Sequence, residues 1–245
     1  MKLLYLLVLV GACGFSPTQV GDVQTDAHGV SGADAPSPVG RCHVTEPSVQ
    51  LCLDFEDPTL EPIVADSSHG HDGTATDVQP MTRSGQQAAA FDDGSVVHVA
   101  ETPDLDIGDN LTYELWIQFG ESDTTTWPVD NNGQYALGIA SNKMFCYANG
   151  VYTNTNIDLG TQIWHHVACT YGKGKLIAYV DGMSAGCRMT YGRIQNLNSH
   201  GMDFGANFSG GLDDIHIYST ALDDKAIARL AGVAPPQPGL PASCP

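Results

Sequence analysis

The sequence is poor in positive charge and lacks a long apolar run. Only 10 of its 245 residues are Lys or Arg, against 28 Asp and Glu, so the formal net charge is −18. Such a surface repels phosphate backbones, which argues against nucleic acid as a partner. The apolar run at residues 3–10 is about half the length that a membrane-spanning helix needs. The chain is therefore expected to meet a membrane only through an anchor.

The N-terminus resembles that of a bacterial lipoprotein. Residues 3–10 follow Lys2, and a short apolar run behind a positive charge is typical of a secretion signal. Residues 10–13 resemble the lipobox, in which a peptidase cuts before a cysteine that then carries lipid. We predict a signal peptide over residues 1–12 and a lipidated Cys13. The alternative is an ordinary signal peptide cut a few residues later. Gly14, by the same resemblance, favours the outer membrane or the cell surface.

Composition divides the remaining chain into three segments. Residues 13–41 are rich in Ser, Gly, Pro and Ala and show no period, which predicts a flexible tether that starts at the lipid anchor. Residues 42–232 carry the strand patterns and no internal repeat, so we predict one domain there. Residues 233–245 form a Pro-rich tail.

The seven cysteines predict three disulfides. If Cys13 carries lipid, six cysteines remain in an oxidising compartment, and an even number favours complete pairing. We rank a Cys42–Cys52 bridge first. The remaining four cysteines are expected to form two further bridges, and the sequence leaves open which of them pair: Cys146, Cys169, Cys187 and Cys244.

Period-two alternation predicts an all-β fold. Residues 111–119 alternate with apolar groups on both faces, as in a central strand. Residues 164–182 predict a hairpin followed by a second tight turn at Asp181 and Gly182. Residues 120–133 are predicted to be a polar loop, and residues 221–231 give the one helical pattern. About a dozen short strands with one late helix predict a two-sheet antiparallel sandwich.

Four sequence blocks carry a family resemblance. They are residues 66–75 with 89–92, residues 111–116, residues 164–171 with 179–182, and residues 211–218 with 221–222. In this order and spacing they resemble the laminin-G-like domain of the concanavalin A-like lectin and glucanase superfamily. The resemblance implies a jelly roll of two sheets that binds carbohydrate or protein outside cells. That superfamily contains both binding domains and glycosidases, so the site must decide the function.

The acid pair of the superfamily's glycosidases is missing. Laminarinase-like members place their carboxylates as Glu-x-Asp-x-x-Glu on one strand, and a retaining mechanism needs two of them about 5 Å apart. Here Glu114 has Thr112 and Trp116 at the neighbouring positions of the same face. We therefore predict no catalysis and interpret Glu114 as a polar framework position. A glycoside hydrolase is the competing function.

The resemblance also implies a structural calcium ion. Carboxylate oxygens are its preferred ligands, and the candidates flank predicted strands: Asp213, Asp214, Glu56, Asp57, Asp92 and Asp93. Asp214 is the best single candidate. The alternative is that these carboxylates are solvated at strand ends. The neighbouring His165 and His166 face opposite ways in a strand, so His166 is expected to be a packed, hydrogen-bonded histidine.

A sugar site would combine an aromatic stacking platform with amides and carboxylates. That composition occurs at Trp127, Asp130, Asn131, Asn132 and Tyr152, and Tyr147 and Asn154 would extend it. The alternative is that Trp127 only pins its loop to the sandwich. The sequence thus predicts a monomeric, non-catalytic module for a glycan or cell-surface protein. A structural protein of the cell envelope is a third interpretation.

Overall fold

A computed structural model of the chain describes residues 42, 47–120, 124–196, 200–235 and 244. The predicted signal peptide, Cys13 and the tether up to residue 41 lie outside these ranges, as does most of the predicted tail. Within the described ranges, no helix is both long and apolar enough to cross a membrane.

The described ranges form sixteen strands and one α-helix. In chain order the strands are β1 (Val49–Leu53), β2 (Ile63–Val64), β3 (Gly73–Thr76), β4 (Gln79–Arg83), β5 (Gln86–Phe91), β6 (Val96–Val99), β7 (Leu111–Phe119), β8 (Thr126–Asp130), β9 (Tyr135–Ala140), β10 (Lys143–Ala148), β11 (Val151–Asn154), β12 (Trp164–Gly172), β13 (Lys175–Val180), β14 (Met183–Met189), β15 (Met202–Phe204) and β16 (Gly210–Tyr218). The helix, α1, spans Asp224–Leu230.

The strands form two antiparallel sheets of eight strands each. The first sheet has the order β14-β13-β12-β7-β16-β5-β4, and β1 also pairs with β16. The second has the order β11-β10-β9-β8-β15-β6-β3-β2. This architecture confirms the predicted all-β jelly roll with one short helix near its C-terminal end.

The two sheets enclose one large apolar core. On β7 every second side chain points inward, and all five of these residues are at most 2% exposed: Leu111, Tyr113, Leu115, Ile117 and Phe119. The Tyr113 ring stacks on Tyr135 of the second sheet at 5.5 Å between centroids. Its hydroxyl donates to the Ala136 carbonyl at 2.9 Å, so the buried oxygen is satisfied across the core.

The predicted hairpin and turn are present. Between β12 and β13, Lys173 and Gly174 have φ values of 50° and 76°. Between β13 and β14, Asp181 and Gly182 have φ values of 48° and 75°. Two consecutive positive φ angles match the right-handed twist of a two-residue hairpin, and they favour Gly or Asp at these positions.

Three disulfides join the described cysteines, as predicted. Cys42 bonds to Cys52 and Cys187 to Cys244. Cys146 bonds to Cys169 with 5.8 Å between the Cα atoms. Cys146 lies on β10 of the second sheet and Cys169 on β12 of the first. Both residues are fully buried in the core, and this bridge joins the two sheets.

Three local predictions need correction. The predicted loop at residues 120–133 contains β8, and the segment between the predicted meander and the last strand, for which no strand was predicted, contains the short strand β15. The helix begins later than predicted because Asp223 is its N-cap and accepts from the Ala226 N–H at 2.9 Å.

Candidate functional site

A transverse row of side chains crosses the outer face of the second sheet. Directly paired residues on neighbouring strands point to the same side of a sheet. The row passes through β11, β10, β9, β8, β15 and β6 as Tyr152, Tyr147, Ala136, Asp130, Asp203 and His98. One end of the row is aromatic and its centre is acidic, which is the composition of a polar ligand site.

A β-bulge turns Trp127 toward this row. Val129 is fully buried in the core, and simple alternation would point Trp127 the same way. The register of β8 against β9 shifts between Thr126 and Val129. This bulge turns the Trp127 side chain to the outer face of the sheet. The Trp127 ring then meets Phe145 edge to face at 5.1 Å between centroids.

The aromatic end of the row is a continuous surface. Tyr147 and Tyr152 lie 4.7 Å apart between ring centroids, and Phe145 lies 5.9 Å from Tyr152. Gly138 is required beneath it, because a Cβ there would collide with the Phe145 ring. Tyr152 is 50% exposed, so the surface is open to a ligand.

A pocket of about 200 Å³ lies on this surface. Its lining comes from β8, β9, β10, β11 and the turn after β8: Trp127, Asp130, Gly133, Ala136, Tyr147 and Tyr152. Rings that present an apolar face beside a carboxylate suit a ligand with both apolar and polar sides.

Asp130 is the one charged residue in the lining. Burial raises the pKa of its carboxyl above the usual range, and nearby Asp203 adds to this, whereas the Gly133 N–H at 3.3 Å opposes it. Asp203 itself pairs with His98 at 2.7 Å. None of the ion pairs between described residues includes Asp130.

The structure brings three of the five predicted ligand-binding residues into one pocket: Trp127, Asp130 and Tyr152. Asn131 is corrected to a framework residue, since it is 1% exposed and its amide donates to the Leu105 carbonyl at 3.3 Å. Asn132 lies in the adjoining exposed turn with φ of 40°. Sequence reasoning missed Asp203, because β15 was not predicted.

A second polar cluster lies on the outer face of the first sheet. Glu114 on β7 is 2.8 Å from Nε2 of His166 on β12 and 2.6 Å from Nδ1 of His216 on β16. All three are at most 2% exposed. Burial would raise the pKa of Glu114, but the adjacent His216 and His166 outweigh it and lower the pKa to about 2. Glu114 is thus more than the polar position that the sequence suggested, yet it is closed off from a substrate.

Arg83 occupies the place predicted for calcium at Asp213 and Asp214. Its Nε lies 2.6 Å from Asp213, and a terminal nitrogen pairs with Asp214. The guanidinium also lies over the Trp116 ring, 4.6 Å from the centroid. A buried guanidinium repels a cation and takes the same carboxylate oxygens. These residues therefore do not fit a calcium site.

A bulge in β16 builds this arrangement. β16 pairs with β5 up to Leu212 and with β1 from Ile215, and its register against β7 shifts between Asp213 and His216. Burial, followed by the neighbouring Asp214, raises the pKa of Asp213 to about 7 despite Arg83.

The other predicted calcium ligands are also used locally. Asp57 accepts from the Thr59 N–H at 2.8 Å, Asp92 accepts from the Ser95 hydroxyl at 2.7 Å, and the carboxylate of Glu56 accepts from the Gln87 N–H at 3.5 Å. Asp93 is exposed. In the described ranges, the one group with metal-ligand spacing is Cys42, Cys52 and His216, and its two cysteines are bonded to each other.

Removal of calcium is therefore expected to leave the Tm unchanged. Differential scanning calorimetry with chelator and with added calcium checks this. A ligand that binds only the folded state raises the Tm, so a fall of several degrees in chelator, abolished by Asp214→Ala, would restore the calcium site.

Comparison with known proteins assigns the family. The model of the concanavalin A-like lectin/glucanases superfamily, of laminin G type, matches residues 89–228. The match spans more than half of the chain, which therefore belongs to this superfamily. A comparison with curated proteins found no match.

Solved structures with the same fold include binding domains. The binding domain of Paraclostridial Mosquitocidal Protein 1 matches with a TM-score of 0.65 at 15% identity, over 75% of this chain and 52% of that one. The binding domain of botulinum neurotoxin serotype C1 matches with a TM-score of 0.63 at 19% identity, over 76% and 52%. The present chain thus spans about half the length of these toxin domains.

A third structure is matched over nearly its whole length. It is domain 4 of AbnA, a GH43 extracellular arabinanase from Geobacillus stearothermophilus, in complex with arabinotriose. The TM-score is 0.60 at 16% identity, over 75% of this chain and 98% of that domain. At these identities the likeness shows the fold alone.

Proposed function

We propose that the protein is a non-catalytic carbohydrate-binding module, held outside the cell by a lipid on Cys13. Its ligand lies on the outer face of the second sheet. The observation that carries the proposal is the pocket lined by Trp127, Tyr147 and Tyr152 beside Asp130. Aromatic rings stack on the apolar faces of sugar rings, and the carboxylate accepts from hydroxyl groups.

The compared proteins support this choice of ligand. Domain 4 of the arabinanase was solved with arabinotriose, and cell entry of botulinum neurotoxin type C depends on two ganglioside molecules. Both ligands carry sugars. The burial of Glu114, 2% exposed, supports the proposal that the module does no chemistry there.

A glycan array tests the proposal directly. The chain with Cys13→Ser avoids lipidation and leaves every described residue unchanged. Binding of at least one glycan class is expected, with loss in Tyr152→Ala. An empty array with a positive cell-surface pull-down would favour a protein ligand, and two empty experiments would favour a structural envelope protein. Release of reducing ends from a bound glycan would favour a glycoside hydrolase.

The anchor is tested separately. Mass spectrometry of the mature N-terminus is expected to show a lipidated Cys13, which anchors the module to a membrane; by the same resemblance, Gly14 favours the outer membrane or cell surface. An unmodified N-terminus a few residues later would contradict the anchor and leave a secreted soluble protein. Neither result bears on the proposal that the outer face of the second sheet binds a glycan.

A further inference from the structure

The pocket on the second sheet places aromatic rings beside a carboxylate. Asp130 shares the lining with Trp127 of its own strand and with Tyr147 and Tyr152, which lie beyond Ala136 on β10 and β11. Tyr147 and Tyr152 are tilted 46° to each other. Electron-rich ring faces attract organic cations, and the carboxylate adds a negative charge at one end of the same pocket.

The charge balance of the pocket favours a cation over a neutral ligand. Asp130 is partly buried, and no Lys, Arg or His among the described residues pairs with it. Partial burial disfavours the ionised form of the carboxylate, as the raised pKa of Asp130 shows. An ammonium group offsets that cost through a charge-assisted hydrogen bond, whereas a hydroxyl does so less well.

The neighbouring charged groups strengthen this preference. Asp203 faces Asp130 from β15 and is itself paired with His98 of β6, and β9 contributes only Ala136 at this position. Tyr147 and Tyr152 complete the surroundings from β10 and β11. The net charge of −18 also concentrates cations near the surface. Anionic sugars are correspondingly excluded.

The pocket admits a small group. Its volume of about 200 Å³ lies below the range of about 300–1,000 Å³ usual for drug-sized ligands. One sugar ring with its substituent therefore enters, and the rest of an oligosaccharide lies along the open row toward Asp203. An acetylated amine loses the charge and adds bulk in the same space.

We propose that this pocket selects sugars that carry a free ammonium group, which donates to the Asp130 carboxylate while the ring stacks on the aromatic side chains. The inference rests on the proposed function, since it names the ligand class of the same site.

The test compares amino sugars with their acetylated forms. Isothermal titration of the full chain carrying Cys13→Ser uses a glucosamine trimer, an N-acetylglucosamine trimer and choline. The glucosamine trimer is expected to bind at least about tenfold more tightly than the acetylated one, the range of a charge-assisted hydrogen bond. Asp130→Asn is expected to abolish that preference. Asp93→Asn, a matched loss of charge at an exposed position outside the pocket, is expected to retain it.

Three results would overturn the inference. Equal affinity for the two trimers, or a preference that survives Asp130→Asn, would reject ammonium recognition by Asp130. Binding of choline at least as tight as that of the glucosamine trimer would reject the assignment to a sugar. If other glycans still bind and Tyr152→Ala abolishes that binding, the proposed function stands without this inference. Failure of every glycan on the array would remove the proposed function itself.

Discussion

The Glu114→Gln variant is expected to be about 3–5 kcal/mol less stable than the wild type at pH 7. Glu114 lies between His166 and His216 with all three side chains buried. The substitution removes the charge that both imidazoles face, and the amide satisfies only part of the two hydrogen bonds. Urea unfolding followed by circular dichroism measures the loss. Glu101→Gln, at an exposed position, is the control and is expected to stay within about 0.5 kcal/mol.

The contribution of Glu114 to folding stability is expected to depend on pH. The pKa of Glu114 falls from its ordinary value of 4.5 to about 2 in the folded protein. Because folding lowers the pKa of Glu114, its carboxylate stabilises the folded state fully above pH 4.5. This contribution to the free energy of unfolding is lost as pH falls toward 2. The shift corresponds to roughly 3 kcal/mol. Wild-type stability should therefore drop over this window more steeply than that of Glu114→Gln.

The variant comparison is needed because Asp213 acts in the opposite direction. Its pKa rises from 3.8 to about 7, so its contribution falls as pH rises through that interval. The pH dependence of wild-type stability alone therefore combines the contributions of Glu114 and Asp213. Equal stability of the wild type and Glu114→Gln at both pH 7 and pH 3 would contradict the structural role of Glu114.

Trp127→Ala and Tyr152→Ala are each expected to weaken glycan binding by about 30-fold or more, the effect of losing an aromatic residue that anchors the ligand. Both rings line the pocket. Isothermal titration with the glycan selected by the array measures the change. Tyr152 is the safer position, because it is 50% exposed and its removal leaves the core intact.

The control for these variants is an aromatic residue outside the pocket. Tyr191 is 81% exposed and does not line it. Tyr191→Ala is expected to bind like the wild type. Unchanged affinity in Tyr152→Ala and Trp127→Ala, with a loss in Tyr191→Ala, would move the site to the loop after β14.

The fold was predictable because its longest strands carry a strong local signal. The alternation over residues 111–119 predicted β7 with its observed bounds, and the turn at Asp181 and Gly182 requires positive φ angles that these residues tolerate. β15 is three residues long, and its pairing with β6 and β8 comes only from tertiary structure. A strand this short has no measurable period.

The candidate site was predictable in part, for a related reason. Trp127, Asp130 and Tyr152 were predictable because aromatic and carboxylate residues are the side chains that a sugar site uses. The bulge that turns Trp127 outward depends on the register between β8 and β9, which a single sequence does not encode locally. The pairing of Arg83 with Asp213 spans 130 residues. Because the two residues are so far apart in the sequence, the arginine could not be predicted beside these carboxylates, which therefore suggested calcium.

The most direct test uses the three tryptophans of the chain. Trp127 lies on the outer face of the second sheet, whereas Trp116 and Trp164 lie beside Arg83 on the first. Each gives one indole N–H signal in an NMR spectrum. Titration with the selected oligosaccharide is expected to shift the Trp127 signal and leave the other two in place. Shifts at Trp116 or Trp164 with an unchanged Trp127 would contradict a binding face on the second sheet.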